Sequence, residues 1–371
     1  MAGPKRIGVA LQGGGAHGAF TWGVLEGLLD EVAAGRIELV GASGASAGAL
    51  NATALVYGLH EGAALPGPAT ARTKRMAEGA RTKLQDLWES VARAAFWGGN
   101  PFVAAIGLSP SWNIDDSPAA RWADMAGTGV SPADLGIANY LNSVLRQVFP
   151  ELPAILAVPE RGVPMLMVAA TDVEECRRQL FVDGAVSPDA LKASACLPSA
   201  FQAVSIAGSA YWDGGYMGNP PLTPLVDCLR RADCSDILLV TLNPLHREGV
   251  PRSARQIMDR LNEITFSASL VHEVNAIETI NRLIDADQIR PESGYRRINL
   301  HRIHADDDMA RLGIYSKDAP SWDFLRHLRG LGHAAFKRLW PEIEAALGKS
   351  SSWDTKSLCD RMLAREAIRT E

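Results

Sequence analysis

A serine framed by two glycines, Gly44-Ala45-Ser46-Ala47-Gly48, follows directly on the apolar run from Ile37 to Ala42. A strand that runs straight into G-x-S-x-G reads as a nucleophile elbow, a sharp strand-to-helix turn holding a serine hydroxyl out from the end of a sheet. Side chains at either glycine position would crowd the turn or the helix packed beside it. The small run Ala49-Leu50-Asn51-Ala52 can begin that helix, whose N-terminal amides favour developing negative charge. Upstream, the strand-like run Arg6 to Leu11 leads into Gln12-Gly13-Gly14-Gly15-Ala16-His17-Gly18. Successive glycines between a strand and a helix can turn several backbone N–H groups to one point. That makes a nest for a phosphate, or for the oxyanion formed during acyl transfer. A third element, Tyr211-Trp212-Asp213-Gly214-Gly215-Tyr216, sets an aspartate before two glycines. Alone it is turn composition; beside an exposed serine and a glycine nest, Asp213 becomes the candidate base. A serine hydroxyl needs a positioned acceptor for its proton. A carboxylate bonded directly to it can serve if a closed, desolvated site raises its pKa.

Two other chemistries use the same residues. Gly13, Gly15 and Gly18 also spell G-x-G-x-x-G, the fingerprint of a dinucleotide site. That unit wants an acidic residue at the end of the second strand, whereas Glu38 opens the strand and the serine elbow occupies its end. The order Ser46, Asp213, then His301 or His304 matches the Ser…Asp…His order of α/β-hydrolases. The two histidines are three apart on a strand-like run and point to opposite faces, so at most one could serve. Their plainer reading is polar residues on a strand or its flank. An α/β-hydrolase elbow also follows several strands, and this one follows the second. A Ser46–Asp213 dyad is therefore preferred over a triad.

With a fourth block, Ala193-Ser194-Ala195-Cys196-Leu197-Pro198-Ser199-Ala200-Phe201, the chain resembles the patatin-like phospholipase family, in its bacterial type. That family's pattern is a glycine-rich oxyanion loop, G-x-S-x-G on an elbow, an Ala-Ser-x-Ala-x-Pro segment packed near the site, and Asp-Gly-Gly or Asp-Gly-Ala. The four motifs stand in order over residues 6 to about 226. The resemblance implies Ser46 as nucleophile, Asp213 as general base, and Gly13, Gly14 and Gly15 as the oxyanion hole, with Gly18, Gly44, Gly48, Gly214 and Gly215 shaping the turns. It implies a lipid acyl hydrolase that cleaves carboxylic esters of phospholipids or lysophospholipids through an acyl-enzyme, with no metal or other cofactor. Its substrate would be met at a membrane or micelle surface. His17 departs from the Arg or Lys usual in the family's loop, leaves the loop's charge open, and is expected to shift the pH optimum. A carboxylesterase or thioesterase on soluble acyl esters is the alternative, and a nucleotide-binding module the remote one.

The expected fold is α/β, a three-layer α/β/α sheet with mainly parallel strands, an inserted helical cap and a helical C-terminal extension. Residues 5–226 form the catalytic domain in this reading, with 58–160 as a cap or lid within it. Residues 227–348 continue the α/β domain and 349–371 form a polar tail. Strands are expected at Met165 to Ala170, Leu180 to Val182, Ala203 to Ile206 and Ile237 to Leu242. Gln256 to Ile284 reads as one long core helix, with Ile257, Leu261, Ile264, Ala268, Val271, Val274, Ile277, Ile280 and Ile284 near one face. Trp322 to Leu347 reads as an amphipathic helix, either docked on the domain or lying on an anionic membrane. The 371 residues, 47% hydrophobic and 21% charged, can bury a sizeable core. A net charge of −5 gives nucleic acid no purchase. No G-x-x-x-x-G-K-S/T loop, C-x-x-C pair or H-E-x-x-H helix is present. Five irregularly spaced cysteines suggest reduced thiols. No signal peptide or membrane-spanning segment is expected, so the location is read as cytoplasmic, at most peripheral to a membrane.

Overall fold

The computed structural model describes residues 3–126, 141–198 and 200–363. Ser199, residues 127–140 within the expected cap, and the last part of the tail lie outside the described residues. Strand β1 (Lys5–Leu11) leads through a single helical turn at Gly15–Gly18 into helix α1 (Ala19–Ala33). Then come β2 (Ile37–Ala45), α2 (Ala47–Ala64), α3 (Arg72–Trp97), α4 (Pro101–Gly107) and α5 (Pro118–Ala126). Helices α6 (Leu141–Val148) and α7 (Leu152–Leu156) precede β3 (Met165–Asp172), β4 (Arg177–Val182), α8 (Pro188–Ser194), β5 (Val204–Ile206) and β6 (Ser209–Asp213). The remainder is α9 (Thr223–Arg231), β7 (Asp236–Val240), α10 (Ala254–Asp285), β8 (Asn299–Ile303), α11 (Asp306–Met309), α12 (Trp322–Ala346) and α13 (Thr355–Leu363).

The strands form one sheet in the order β5-β6-β3-β2-β1-β7-β8, with β4 paired to β3. From β3 to β8 along that order the pairings are parallel; β4, β5 and β6 run antiparallel to their neighbours. The strands' period-two alternation feeds a core on each face. Ile7, Val9 and Leu11 of β1 and Leu238 and Val240 of β7 join the larger core under α1, α2, α3 and α12. Ala10, Ile237 and Leu239 face the smaller core under α9, α10 and α13. This is the expected three-layer α/β/α sheet.

Helix α3, from the expected cap region, packs against α1 and α2 and buries Trp88, whose indole N–H donates to Asn51 Oδ1 at 3.0 Å. Phe96 and Trp97 at its end are exposed, while Phe102 stacks on Tyr315 and Trp112 lies against Phe324. Helix α12 docks on α1. Phe324, Leu325, Leu328, Phe336 and Trp340 are buried, and Gly23 and Gly332 let the two backbones touch. Helix α10 departs from the single core face expected of it. Leu270, Val274 and Ile277 are buried, but Ile257, Leu261 and Ile264 are 42–51% exposed. Its first half reaches past the sheet and is tied to loops by polar contacts, Arg247 to Glu263 and Lys317 to Asn262. No helix among the described residues is long and apolar enough to cross a membrane.

Candidate active site

The end of β2 and the end of β6 meet along one edge of β3. β4 occupies the opposite edge from Met167–Val182 to Asp172–Arg177. On the shared edge β2 pairs with β3 up to Ala45–Ala169, and β6 takes over at Asp213–Ala170. Consecutive positions on β3 therefore set Ser46, the residue after Ala45, beside Asp213. The fourth motif block braces both. At the end of α8, Ser194 accepts the Ser46 N–H through its Oγ at 3.0 Å and its carbonyl at 3.1 Å, and the Cys196 carbonyl accepts the Asp213 N–H at 2.8 Å.

Ser46 has φ 53° and ψ −130°, a backbone conformation a non-glycine residue holds only when its surroundings impose it. The imposition comes from Ser194 on the N–H side and from α2, where Leu50 N–H bonds the Ser46 carbonyl at 3.1 Å. A Cβ on Gly44 would strike the Gly48 backbone, and one on Gly48 would strike the Leu11 carbonyl. Both glycines are thus demanded by packing at the elbow.

Asp213 is fully buried. Its Oδ1 accepts the Gly215 N–H at 2.7 Å, and its carbonyl accepts the Thr171 hydroxyl at 2.7 Å. A Cβ on Gly214 would meet the Ala169 carbonyl and one on Gly215 the Phe266 ring, which closes the site from the α10 side. Oδ2 is buried without a well-aligned partner, although the Ser46 hydroxyl is near enough to act on the carboxyl as a hydrogen-bonding neighbour. The hydroxyl is thus a neighbour of the carboxyl without a formed hydrogen bond, and such catalytic bonds commonly tighten when substrate binds. Burial pushes the Asp213 carboxyl up to about 7, against the Gly215 amide and the Ser46 hydroxyl, which pull it down.

The glycine loop lies directly on the serine, since a Cβ on Gly13 would be 2.6 Å from Ser46 Cβ. The Gly13 N–H donates to Asn219 Oδ1 at 2.7 Å. Gly13, expected as an oxyanion donor, is therefore already engaged. The Gly14 and Gly15 amides have no acceptor among the described residues. Gly15 has φ +58°, and its missing Cβ makes room for the Lys317 carbonyl; Gly18 sits where a Cβ would be 2.7 Å from Ala47 Cβ.

Two side chains that the motifs did not flag hold this loop. Asn219 Nδ2 donates to the Phe266 carbonyl, and Gln12 Oε1 accepts the Leu242 and Asn243 N–H groups. A buried polar residue closing an apolar strand was the available signal for Gln12, and the position before Pro220-Pro221 the one for Asn219.

His17 is buried, and its Nε2 lies 2.7 Å from Ser316 Oγ. Ser316 gives its only hydroxyl proton to the Gly313 carbonyl, so the His17 proton must sit on Nε2. Burial, then the charge of Lys317, lowers the His17 pKa well below its usual value, so the ring is neutral at pH 7. The cation beside the loop is Lys317.

The histidines of the alternative triad serve elsewhere. His301 Nε2 meets Asp236 Oδ1 at 3.0 Å and its Nδ1 meets Ser352 Oγ at 2.9 Å, pinning the segment before α13 to the sheet. His304 Nδ1 lies 3.3 Å from Asp306 Oδ2. Glu38 stands at the opposite end of the sheet from the glycine loop, 3.7 Å from Arg6, and is not placed to hold a ribose. Among the described residues no group of His, Cys, Asp and Glu side chains is arranged to hold a metal ion.

A comparison with curated proteins finds no match. Among solved structures, VipD from Legionella pneumophila aligns at 14% identity over 91% of this chain and 67% of that one, with a TM-score of 0.37. The family model described as "Patatin-like phospholipase" matches residues 9–226, from β1 through the elbow and the aspartate into α9. That span is more than half of the chain and contains the whole serine, aspartate and glycine-loop arrangement, and on it the chain belongs to the patatin-like phospholipase family.

Proposed function

We propose that this lipid acyl hydrolase works through Ser46 as nucleophile and Asp213 as its general base. The observation that carries the reading is the pairing of a buried serine, held at φ 53° on the elbow, with a buried carboxylate whose second oxygen has no hydrogen-bond partner among the described residues. Asp213 takes the hydroxyl proton as Ser46 attacks an ester carbonyl, and the amides of Gly14 and Gly15 receive the oxyanion. Gly13 keeps the loop against the serine through Asn219. The proton returns to the leaving alcohol, and water then releases the acid by the same steps in reverse order. Asp213 carries each proton, first from Ser46 to the alcohol and then from water back to Ser46, and backbone amides are the donors, so the scheme calls for no metal or cofactor.

The substrate class is a phospholipid or lysophospholipid ester at a membrane or micelle surface. Supporting that class are the family itself and the exposed apolar side chains at Phe96, Trp97 and the first half of α10. We assign residues 5–226 as the catalytic region, with 58–160 as an insertion within it whose helix α3 packs on α1 and α2.

Covalent labelling by a fluorophosphonate ester, located by mass spectrometry, tests the dyad. Label is expected on Ser46 in wild type and in His304→Ala, and slowed by at least about 100-fold in Asp213→Asn, in line with the usual loss of a general base. Label persisting in Asp213→Asn would remove the aspartate from the mechanism. A rise in ester turnover at the critical micelle concentration is expected for a lipid substrate. Equal turnover of monomeric esters would favour the soluble-ester alternative.

A further inference from the structure

Behind the glycine loop lies a cation with only neutral hydrogen-bond partners. Lys317 belongs to the short helical turn Ile314–Asp318, and its carbonyl fills the space left by the absent Gly15 side chain. Its ammonium donates to Asn243 Oδ1 at 3.0 Å and to Asn262 Oδ1 at 2.7 Å. Asn243 is in turn bonded through its N–H to Gln12 Oε1 at 2.9 Å, and Gln12 is the residue before Gly13. The loop is thus gripped on one side by Gln12 and on the other by the Lys317 backbone, with Asn243 joining the two.

The space around the ammonium decides what that cation can do. Lys317, Asn243, Asn262 and His17 line a cavity of about 10 Å³. That is room for about one water and far too little for a phosphate headgroup. Asn243 Nδ2 is buried there without an acceptor, a group that one water would satisfy. A cation that cannot touch the substrate from this cavity can still act through the loop it braces.

Resting on the serine reading above, we propose that Lys317 is a positioning residue for acyl transfer. Held by Asn243 and Asn262, it fixes the glycine loop and adds positive potential where the Gly14 and Gly15 amides meet developing negative charge. Fixed charges aimed at the transition state act strongly in a dry site because nothing has to reorient during the reaction.

The charged groups facing Lys317 are Glu263 and Asp259 from α10, Asp318 beside it in the turn, Arg247 from the loop after β7, and the neutral His17. Burial is the largest influence on the lysine, ahead of the attraction of Glu263, which is itself bonded to Arg247 at 2.7 Å and to Arg260 at 3.0 Å. Desolvation therefore prevails and brings the Lys317 ammonium down to about 8. The wild-type rate should fall as pH rises through that value, because the charge on the loop is lost.

The test compares kcat, KM and their pH profiles for wild type, Lys317→Met and Lys317→Arg on one ester. Fluorophosphonate labelling of Ser46 and melting temperature are followed in parallel. Lys317→Met is expected to lose about 10-fold to 100-fold in kcat with KM changed less than about twofold, a fraction of the loss seen on removing a direct oxyanion donor. Its alkaline limb should vanish. Lys317→Arg, whose guanidinium stays charged, should move that limb beyond pH 10. If Lys317→Met folds and keeps both the wild-type kcat and the wild-type alkaline limb, the proposal is overturned while the serine reading stands. If Lys317→Met does not fold, the Arg variant decides, and an alkaline limb left in place overturns the proposal. Failure of wild-type Ser46 to take label overturns both.

Discussion

Asp213 is where function and stability conflict most directly. Its pKa in the folded chain, about 7, lies above the ordinary carboxylate value of 3.8. The folded state therefore binds the proton more tightly than the unfolded one. Its contribution is fully favourable below pH 4, declines as pH climbs through 7, and is flat above. At about 1.4 kcal/mol per pKa unit the penalty at pH 8 is on the order of 4 kcal/mol. Asp213→Asn should accordingly melt higher than wild type at pH 8 and lose that advantage at pH 4, as thermal denaturation at the two pH values will show. The same variant should be nearly inactive, since an amide cannot take the hydroxyl proton. In wild type, kcat/KM should rise as pH passes through about 7, when the carboxyl becomes able to accept a proton. At this scale the sequence was most legible: Ser46 and Asp213 stand in short strings whose neighbours are needed locally. Asn219, Gln12 and Lys317 were not legible, because each acts on a loop far away in the chain. His17 could be placed in the loop from sequence, but its neutral state depends on burial and Lys317, and its tautomer on Ser316.

The elements around the site divide into those that aim it and those that hold it together. Gly13 belongs to the first kind: a Cβ there would sit 2.5 Å from the Ala45 carbonyl and 2.6 Å from Ser46 Cβ. Gly48 belongs to the second, since its Cβ would strike the Leu11 carbonyl in the strand between β2 and β7. Gly13→Ala is expected to cost at least about 100-fold in kcat, comparable to disturbing an oxyanion donor. Gly48→Ala is expected to cost about 2 kcal/mol or more of stability, as overpacked interiors do. Steady-state kinetics set beside urea unfolding of both variants will separate the roles, and a Gly13 variant with wild-type kcat would detach the loop from catalysis. Helix α10 shows where periodicity stops being informative. Its apolar stripe is real, yet only the part over the sheet is covered. Where a sheet ends cannot be read from the helix that overhangs it.

The whole molecule is larger than the part the family pattern covers. The match ends at residue 226, within α9, yet β7 pairs with β1 in the middle of the sheet and α12 covers α1. A chain cut after residue 226 should therefore show no cooperative unfolding transition by calorimetry, whereas the full chain should show one. A sharp transition in the short chain would mean that the later elements are accessory. The three-layer plan was readable from alternating strand and helix patterns. For α12 the pattern favours a docked helix over one lying on lipid, but a stripe of leucines with basic flanks suits either face, and Gly23 and Gly332 against the opposing backbone decide it. The place of β1 has a consequence for how the chain is made. One side of β1 is satisfied early by β2, but Gly8 to Leu11 must wait on the other side for Ile237 to Val240. At 5–20 residues per second, a ribosome needs roughly 10–45 s to deliver that partner. Through that interval the nascent chain presents an open apolar strand edge, the template on which neighbouring chains aggregate. Folding in the cell thus becomes a race between translation and self-association, and slower translation or a higher density of nascent chains shifts it toward loss of yield.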